Sequence, residues 1–230
     1  VKVKERVFFI NDETIQFGGF TLKDLKNYYK GFYPNFSDEL FEELRETVKL
    51  PLDKKTERFS KGMKRQAIVI TGLACQTDYL LLDEAFDGLD PTMRIIVKRM
   101  LVDAMLDRQL TTVISSHNLK EINEVCDSVA LLHQGKMLFN RDVDSVKGSI
   151  HKVQAAFNEE YTREDFEKYG ILHYSRSQSI HYIIMEGTEE EIREKLSEKK
   201  PIVLDLIPLT LEEIFIYEME GMGYDAGQLD

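Results

Sequence analysis

The sequence predicts an α/β domain on a largely parallel sheet, followed by a small α+β domain. Three observations predict it. The run YLLLD (79–83) is apolar without alternation, as expected of a strand covered on both faces. From residue 6 to about 127, strand-like and helix-like stretches alternate, the pattern that lays parallel strands side by side. After about residue 148 the order becomes strand, helix, strand, strand, helix, strand, which is that of a ferredoxin-like unit.

RVFFI (6–10) reads as the first buried strand. A helical region follows, in which Ser37 is placed to cap a helix whose face carries Leu40, Phe41, Leu44 and Val48. Another helix runs from Ser60 to about Cys75 and feeds YLLLD. Asp90-Pro91 opens the next helix, with Asp90 as cap and Pro91 at the first helical position. TTVISS (111–116) is a strand, and Leu119, Ile122 and Cys126 form the stripe of a short helix after it. SVALLH and KMLFN flank a turn and read as a hairpin. In the last third, Thr188 with Glu191 and Thr210 with Glu213 are capping boxes that open two helices. Leu211, Ile214, Phe215 and Met219 share one face of the second. The expected domains are 1–148, with a helical subdomain at about 13–77, and 149–230.

Composition narrows the function. The net charge of −11 argues against a general nucleic-acid binder, which favours a basic face. No apolar run reaches the eighteen or so residues of a membrane span. Cys75 and Cys126 lie in helix-like stretches without metal-ligand spacing and read as buried thiols. His151, His173 and His181 are scattered and read as surface or core residues, so the last third shows no chemical constellation.

The chemistry gathers elsewhere. LLLDEAFDGLD (80–90) delivers Asp83 and Glu84 to the carboxyl end of a parallel strand, where ligands collect. Successive strand residues point to opposite sides, so one acid can face a magnesium ion and the other an attacking water. Alone, Asp-Glu is also a common strand ending. FSKGMKRQ lies upstream, with Ser60 and Gly62 at a helix start, where a hydroxyl, exposed N–H groups and the helix dipole suit an anion. Ser60 could equally serve only as the cap. VISSH places His117 just past a strand, at the same sheet edge as Asp83, within reach of a phosphate oxygen or a water.

In order and spacing, FSKGM, LLLDEAFDGLD and SSH resemble the signature loop, Walker B with D-loop, and switch histidine of the ATP-binding cassette (ABC) ATPases, over roughly residues 6–140. The ending PLTLEEIF resembles the tail of ATP-binding subunits of bacterial exporters. The resemblance implies a P-loop NTPase-like sheet with a helical subdomain, and ATP with Mg2+ as cofactors. It implies that Asp83 binds magnesium, Glu84 polarises the attacking water and His117 contacts the γ-phosphate. Ser60 and Gly62 would bind a nucleotide held by the partner subunit, and Asp90 would sit in the D-loop between the two sites. It further implies a head-to-tail dimer with a second ATP-binding subunit and a transmembrane permease as partner. The place would be the cytoplasmic side of the cell membrane, held there through the permease.

This chain departs from the family pattern at several positions. Phe59, Lys61 and Met63 replace three signature residues, and Ala85-Phe86 stands where Pro-Thr is common. The Q-loop glutamine position offers Asp12, or Glu13. A carboxylate there can meet a metal ion but cannot donate as an amide does. Gly-x4-Gly-Lys-[Ser/Thr], the loop that cradles phosphates, occurs nowhere in the 230 residues. The start at Val1 rather than Met leads to the expectation that this loop precedes the sequence, which alone would bind and hydrolyse ATP poorly. Two functions follow. One is the ATP-hydrolysing subunit of an ABC transporter, with an exporter favoured; the other is a non-catalytic scaffold or regulator that lost its phosphate loop.

Overall fold

The structure is a computed structural model that describes residues 2–12 and 19–221, with the backbone alone at 218, 220 and 221. It divides into two compact units, 1–118 and 119–230.

In the first unit, β1 (Val7–Ile10), β2 (Tyr79–Asp83) and β3 (Thr111–Ser115) form a parallel sheet in that order. Its helices are α1 (Leu22–Lys30), α2 (Asp38–Thr47), α3 (Lys61–Ala74) and α4 (Pro91–Arg108). Phe8, Ile10, Leu80 and Leu82 are buried, and α3 adds Ala67, Val69, Ile70 and Leu73 to the core. The cover expected for YLLLD is met on one face only. Leu80 and Leu82 are buried, whereas Tyr79 is exposed and Leu81 half-buried. The row Phe9, Leu81, Val113, in register across the three strands, therefore carries two exposed apolar side chains, Phe9 and Val113. Among the described residues, the elements of this unit cover the opposite row.

Caps set the helix starts. Ser37 Oγ accepts from the Leu40 N–H at 3.1 Å, and α2 and α1 both pack on α3. Asp90 accepts from the N–H groups of Thr92 and Met93, with Pro91 in the first turn, as its sequence predicts. Sequence reasoning missed a capping box at Thr21 and Asp24, which starts α1. Glu13 and the first residues expected of the helical subdomain lie outside the described residues. Cys75 is buried, which pushes its thiol pKa up, whereas Cys126 is only half-buried.

The second unit opens with α5 (Leu119–Val125) and the hairpin of β4 (Ser128–His133) and β5 (Lys136–Asp142). Gln134 and Gly135 join these strands with φ of 47° and 75°, the left-handed pair that a two-residue hairpin turn demands. Then follow α6 (Val143–Ser149), β6 (Ile150–Ala156), α7 (Glu164–Glu167), β7 (Ile171–Ser177), β8 (Ile180–Glu186), α8 (Glu189–Ser197), β9 (Val203–Ile207) and α9 (Leu211–Gly221). The four later strands pair antiparallel in the order β7-β8-β6-β9, the ferredoxin-like arrangement. Both capping boxes form, at Thr188 with Glu191 and at Thr210 with Glu213. The compact unit begins thirty residues before the change of pattern at 148 because α9 packs back on α5 and α6, and Phe215 stacks on Phe139 at 5.2 Å.

The core of the later sheet contains Val153, Ala155, Phe166, Ile183, Met185, Ile192 and Leu196. His181 is buried beside it, with Nδ1 2.9 Å from the Tyr174 hydroxyl, and burial lowers its pKa, with Arg176 adding to the effect. A histidine buried neutral binds a proton more readily once unfolded, so its contribution to stability is present above about pH 6.5 and lost as the pH falls towards the folded value. Chemical denaturation from pH 8 to 5 is expected to show this loss, and His181→Gln to flatten it. An unchanged slope in that variant would assign the pH dependence to other groups.

Candidate functional site

Parallel pairing sets Asp83 opposite Ser115, at the carboxyl ends of β2 and β3. The Ser115 hydroxyl donates to Asp83 Oδ1, tying the acid across the strands. One residue on, Glu84 leaves the strand with φ 49°, a left-handed conformation uncommon outside glycine. Its N–H donates to the Ser115 carbonyl at 3.2 Å, and its own carbonyl accepts from the Asp87 N–H at 3.0 Å, closing the turn. Strained backbone of this kind persists where the surroundings over-determine it, often at functional sites.

That turn aims Glu84 at His117, two residues past β3. The His117 N–H donates to Oε1 at 3.1 Å, and His117 Nδ1 lies 2.9 Å from Oε2. An ionised carboxylate only accepts, so the contact places a proton on Nδ1. The imidazole is 81% exposed and the Glu84 side chain 26%. The two acids thus take different partners, Asp83 a serine and Glu84 a histidine. The Ser115–Asp83 tie went unseen in the sequence, where SS reads only as the end of a strand. As a metal site the edge suits magnesium, an ion held by one or two carboxylates together with waters and phosphates. Asp83 supplies such a carboxylate. Among the described residues no three His, Cys, Asp or Glu gather as a protein-only cage.

Ser60 caps α3, its Oγ accepting from the Met63 N–H at 3.1 Å. The capping role that the sequence leaves open is therefore filled in this structure. Gly62 packs against the loop after β2, where a Cβ would meet the Gly88 carbonyl oxygen at 2.7 Å. Gly88 itself has φ 75° and lies under the Lys61 side chain. Lys61 reaches past it to Asp87 Oδ2 at 2.5 Å, and this hydrogen bond holds the Asp87 carboxyl below its ordinary pKa. The start of α3 and the loop leading to Asp90 are thus one packed piece. Neither Lys61 nor Asp87 stands out in the sequence, because their pairing joins positions 26 residues apart.

Asp12 follows β1 and its side chain is 60% exposed. It is held by Arg65 of α3, a side chain only 1% exposed that sequence reasoning passed over. The guanidinium donates to the carbonyls of Asn11 at 2.8 Å and Asp12 at 3.0 Å, and one nitrogen lies 3.4 Å from Asp12 Oδ1.

A parallel sheet that ends in adjacent acids, a histidine just past the neighbouring strand and a glycine packed against the same loop together fit a P-loop NTPase-like α/β fold. Sequence relatives and a solved structure point the same way. No protein-family model matches the chain. The ABC transporter ATP-binding protein YtrB of Bacillus subtilis (strain 168) is 28% identical over 220 residues, 96% of this chain and 75% of that protein. The methionine import ATP-binding protein MetN of Staphylococcus saprophyticus is 31% identical over 117 residues, half of this chain but 34% of its own length. Among solved structures, an ATP-binding subunit of an ABC transporter shares the fold with a TM-score of 0.57 at 20% identity, covering 64% of this chain and 62% of that one. In sequence the chain is similar to ABC transporter ATP-binding proteins, and it shares the fold of one such subunit. No helix among the described residues is long and apolar enough to cross a membrane.

The Lys61–Asp87 pair is half-exposed, so a double-mutant cycle with Lys61→Met and Asp87→Asn is expected to give about 0.2–1 kcal/mol of coupling at pH 7. Because the folded Asp87 pKa is depressed, that coupling is present above about pH 4 and lost as the pH falls below it. A cycle energy that does not change with acid would rule out the ion pair as its source.

Proposed function

We propose that the chain is the Walker B and signature half of a transporter ATPase site, coupling ATP-driven dimer closure to work done by a separate membrane permease. The observation that carries this reading is the Glu84–His117 contact beside Asp83. It brings Glu84, His117 and Asp83 to one sheet edge, which supports reading them as base, phosphate-facing ring and metal-binding carboxylate. Residues 1–148 are the ATPase portion and 149–230 an accessory domain.

Glu84 is the general base that polarises water. His117 bridges it to the γ-phosphate, its ring donating to Glu84 through Nδ1 and to the phosphate through a protonated Nε2. Asp83 holds Mg2+, which neutralises charge on the phosphates when bound. Ser60 and Gly62 face a nucleotide on the partner subunit, where α3 offers N–H groups and a positive helix end. Asp90 fixes the D-loop between the two sites, and Asp12 takes the Q-loop position with a carboxylate. The permease holds this subunit on the cytoplasmic side of the membrane. The exporter direction rests on PLTLEEIF alone, and a relative such as MetN is by name an import protein.

The sequence given has no phosphate loop, so the reading needs that cradle from residues outside it. The same lack favours the second reading, a scaffold that keeps the fold without turnover. In a chain extended by a strand, phosphate loop and helix, ATP turnover is expected, and Glu84→Gln should bind ATP and dimerise while losing at least about 100-fold in rate. Parental turnover in Glu84→Gln would remove Glu84 as the base, and no turnover in the extended parent would favour the scaffold. In the same extended chain, Ser60→Arg is expected to abolish ATP-dependent dimers in sizing experiments by filling the partner's phosphate site. Normal dimers would remove Ser60 from the trans contact.

A further inference from the structure

The structure assigns a second ligand site to the accessory domain, a pocket for a small organic anion on the sheet face opposite the apolar core. The pocket has a volume of about 230 Å³ and is lined by Lys152, His173, Ser175, Tyr182, Ile184 and Tyr217. These come from β6, β7, β8 and α9 of one compact unit.

Strand register explains why they meet. Ile184 pairs with Lys152 on one side and with His173 on the other, and Ser175 pairs with Tyr182. A register shift between Ile171 and His173 makes the assembly possible. Without it, alternation would send Ile171, His173 and Ser175 to one face. The bulge lets Ile171 and Tyr174 pack on the core while His173 and Ser175 turn to the pocket. Bulges that re-aim side chains recur beside binding sites.

The lining has a definite chemistry. Lys152 is half-buried, and its ammonium lies 5.9 Å from the centre of the Tyr182 ring. Among the described residues the ammonium faces that ring and pairs with no carboxylate, in a chain that carries 41 acidic side chains against 30 basic ones. Ser175 supplies a hydroxyl, His173 a ring nitrogen, and Tyr182 and Tyr217 phenol groups, while Ile184 is a buried apolar floor. The His173 and Tyr217 rings are 5.8 Å apart and form one wall. One cation, several neutral donors, aromatic walls and no acid in the lining suit a single anionic head on a flat or apolar body. Carboxylates and phosphate monoesters share that chemistry.

The 230-residue chain, titrated with benzoate, phenyl phosphate and neutral phenol, tests the assignment. The readout is the NMR signals of the Ile184 methyls and the His173 ring. Saturable shifts with benzoate or phenyl phosphate, and at least about tenfold weaker binding of phenol, are expected. Benzoate alone would specify carboxylates, phenyl phosphate alone phosphate esters, and both together any single anionic head. Lys152→Gln should weaken the anion about tenfold and Tyr182→Phe less, with the melting temperature of each variant showing that it is folded. Should Lys152→Gln melt early, Lys152→Arg, which keeps the charge, is expected to retain binding. No saturable shift up to tens of millimolar, equal binding of phenol, or undiminished binding in folded Lys152→Gln would each overturn the site. The measurement involves no ATP, so its outcome is independent of the ATPase reading.

Discussion

The pairing of β2 with β3 is the constraint on which the first unit depends. Parallel register fixes Asp83 opposite Ser115, and from that point the chain has little freedom. Ser115 accepts from the Glu84 N–H through its carbonyl and donates to Asp83 through its hydroxyl, so one residue holds both acids. A one-residue slip would send every side chain of β3 to the other face and separate Ser115 from both. The left-handed backbone at Glu84 is a local cost of roughly 1–3 kcal/mol, carried by these surrounding bonds.

The same economy ties the helical region to the sheet edge. α3 leaves Ser60 as its cap, sets Gly62 against the Gly88 carbonyl, and sends Arg65 back to the segment after β1. Two stretches far apart in sequence therefore share one helix as their reference. A rigid helix N-terminus so placed offers the start of α3 as a fixed surface rather than a loop that must order on binding.

What the sequence made legible was periodic or local. The strands, the helix caps at Ser37, Ser60, Asp90, Thr188 and Thr210, and the ferredoxin-like order follow from patterns within a few residues. The candidate site was legible because its acids, histidine and glycine sit at recognisable strand and helix ends. Pairings across distance were not legible. Lys61 with Asp87, Arg65 with Asn11 and Asp12, and Ser115 with Asp83 depend on which elements become neighbours. The expected double cover of YLLLD failed for a related reason. An unbroken apolar run says that a strand can be covered on both faces, not which elements will do it. In the accessory domain, a single bulged residue defeated simple alternation and hid the grouping of His173 with Lys152.

Among the described residues β3 is an outer strand of its sheet, and this has a mechanical consequence. Its inner side is bonded to β2, and its last residue grips both acids. A change in its register against β2 would reach the Asp83 carboxylate and the Glu84 backbone directly, with no intervening helix or loop to absorb it. The position of this strand and the geometry of the acid pair are therefore coupled.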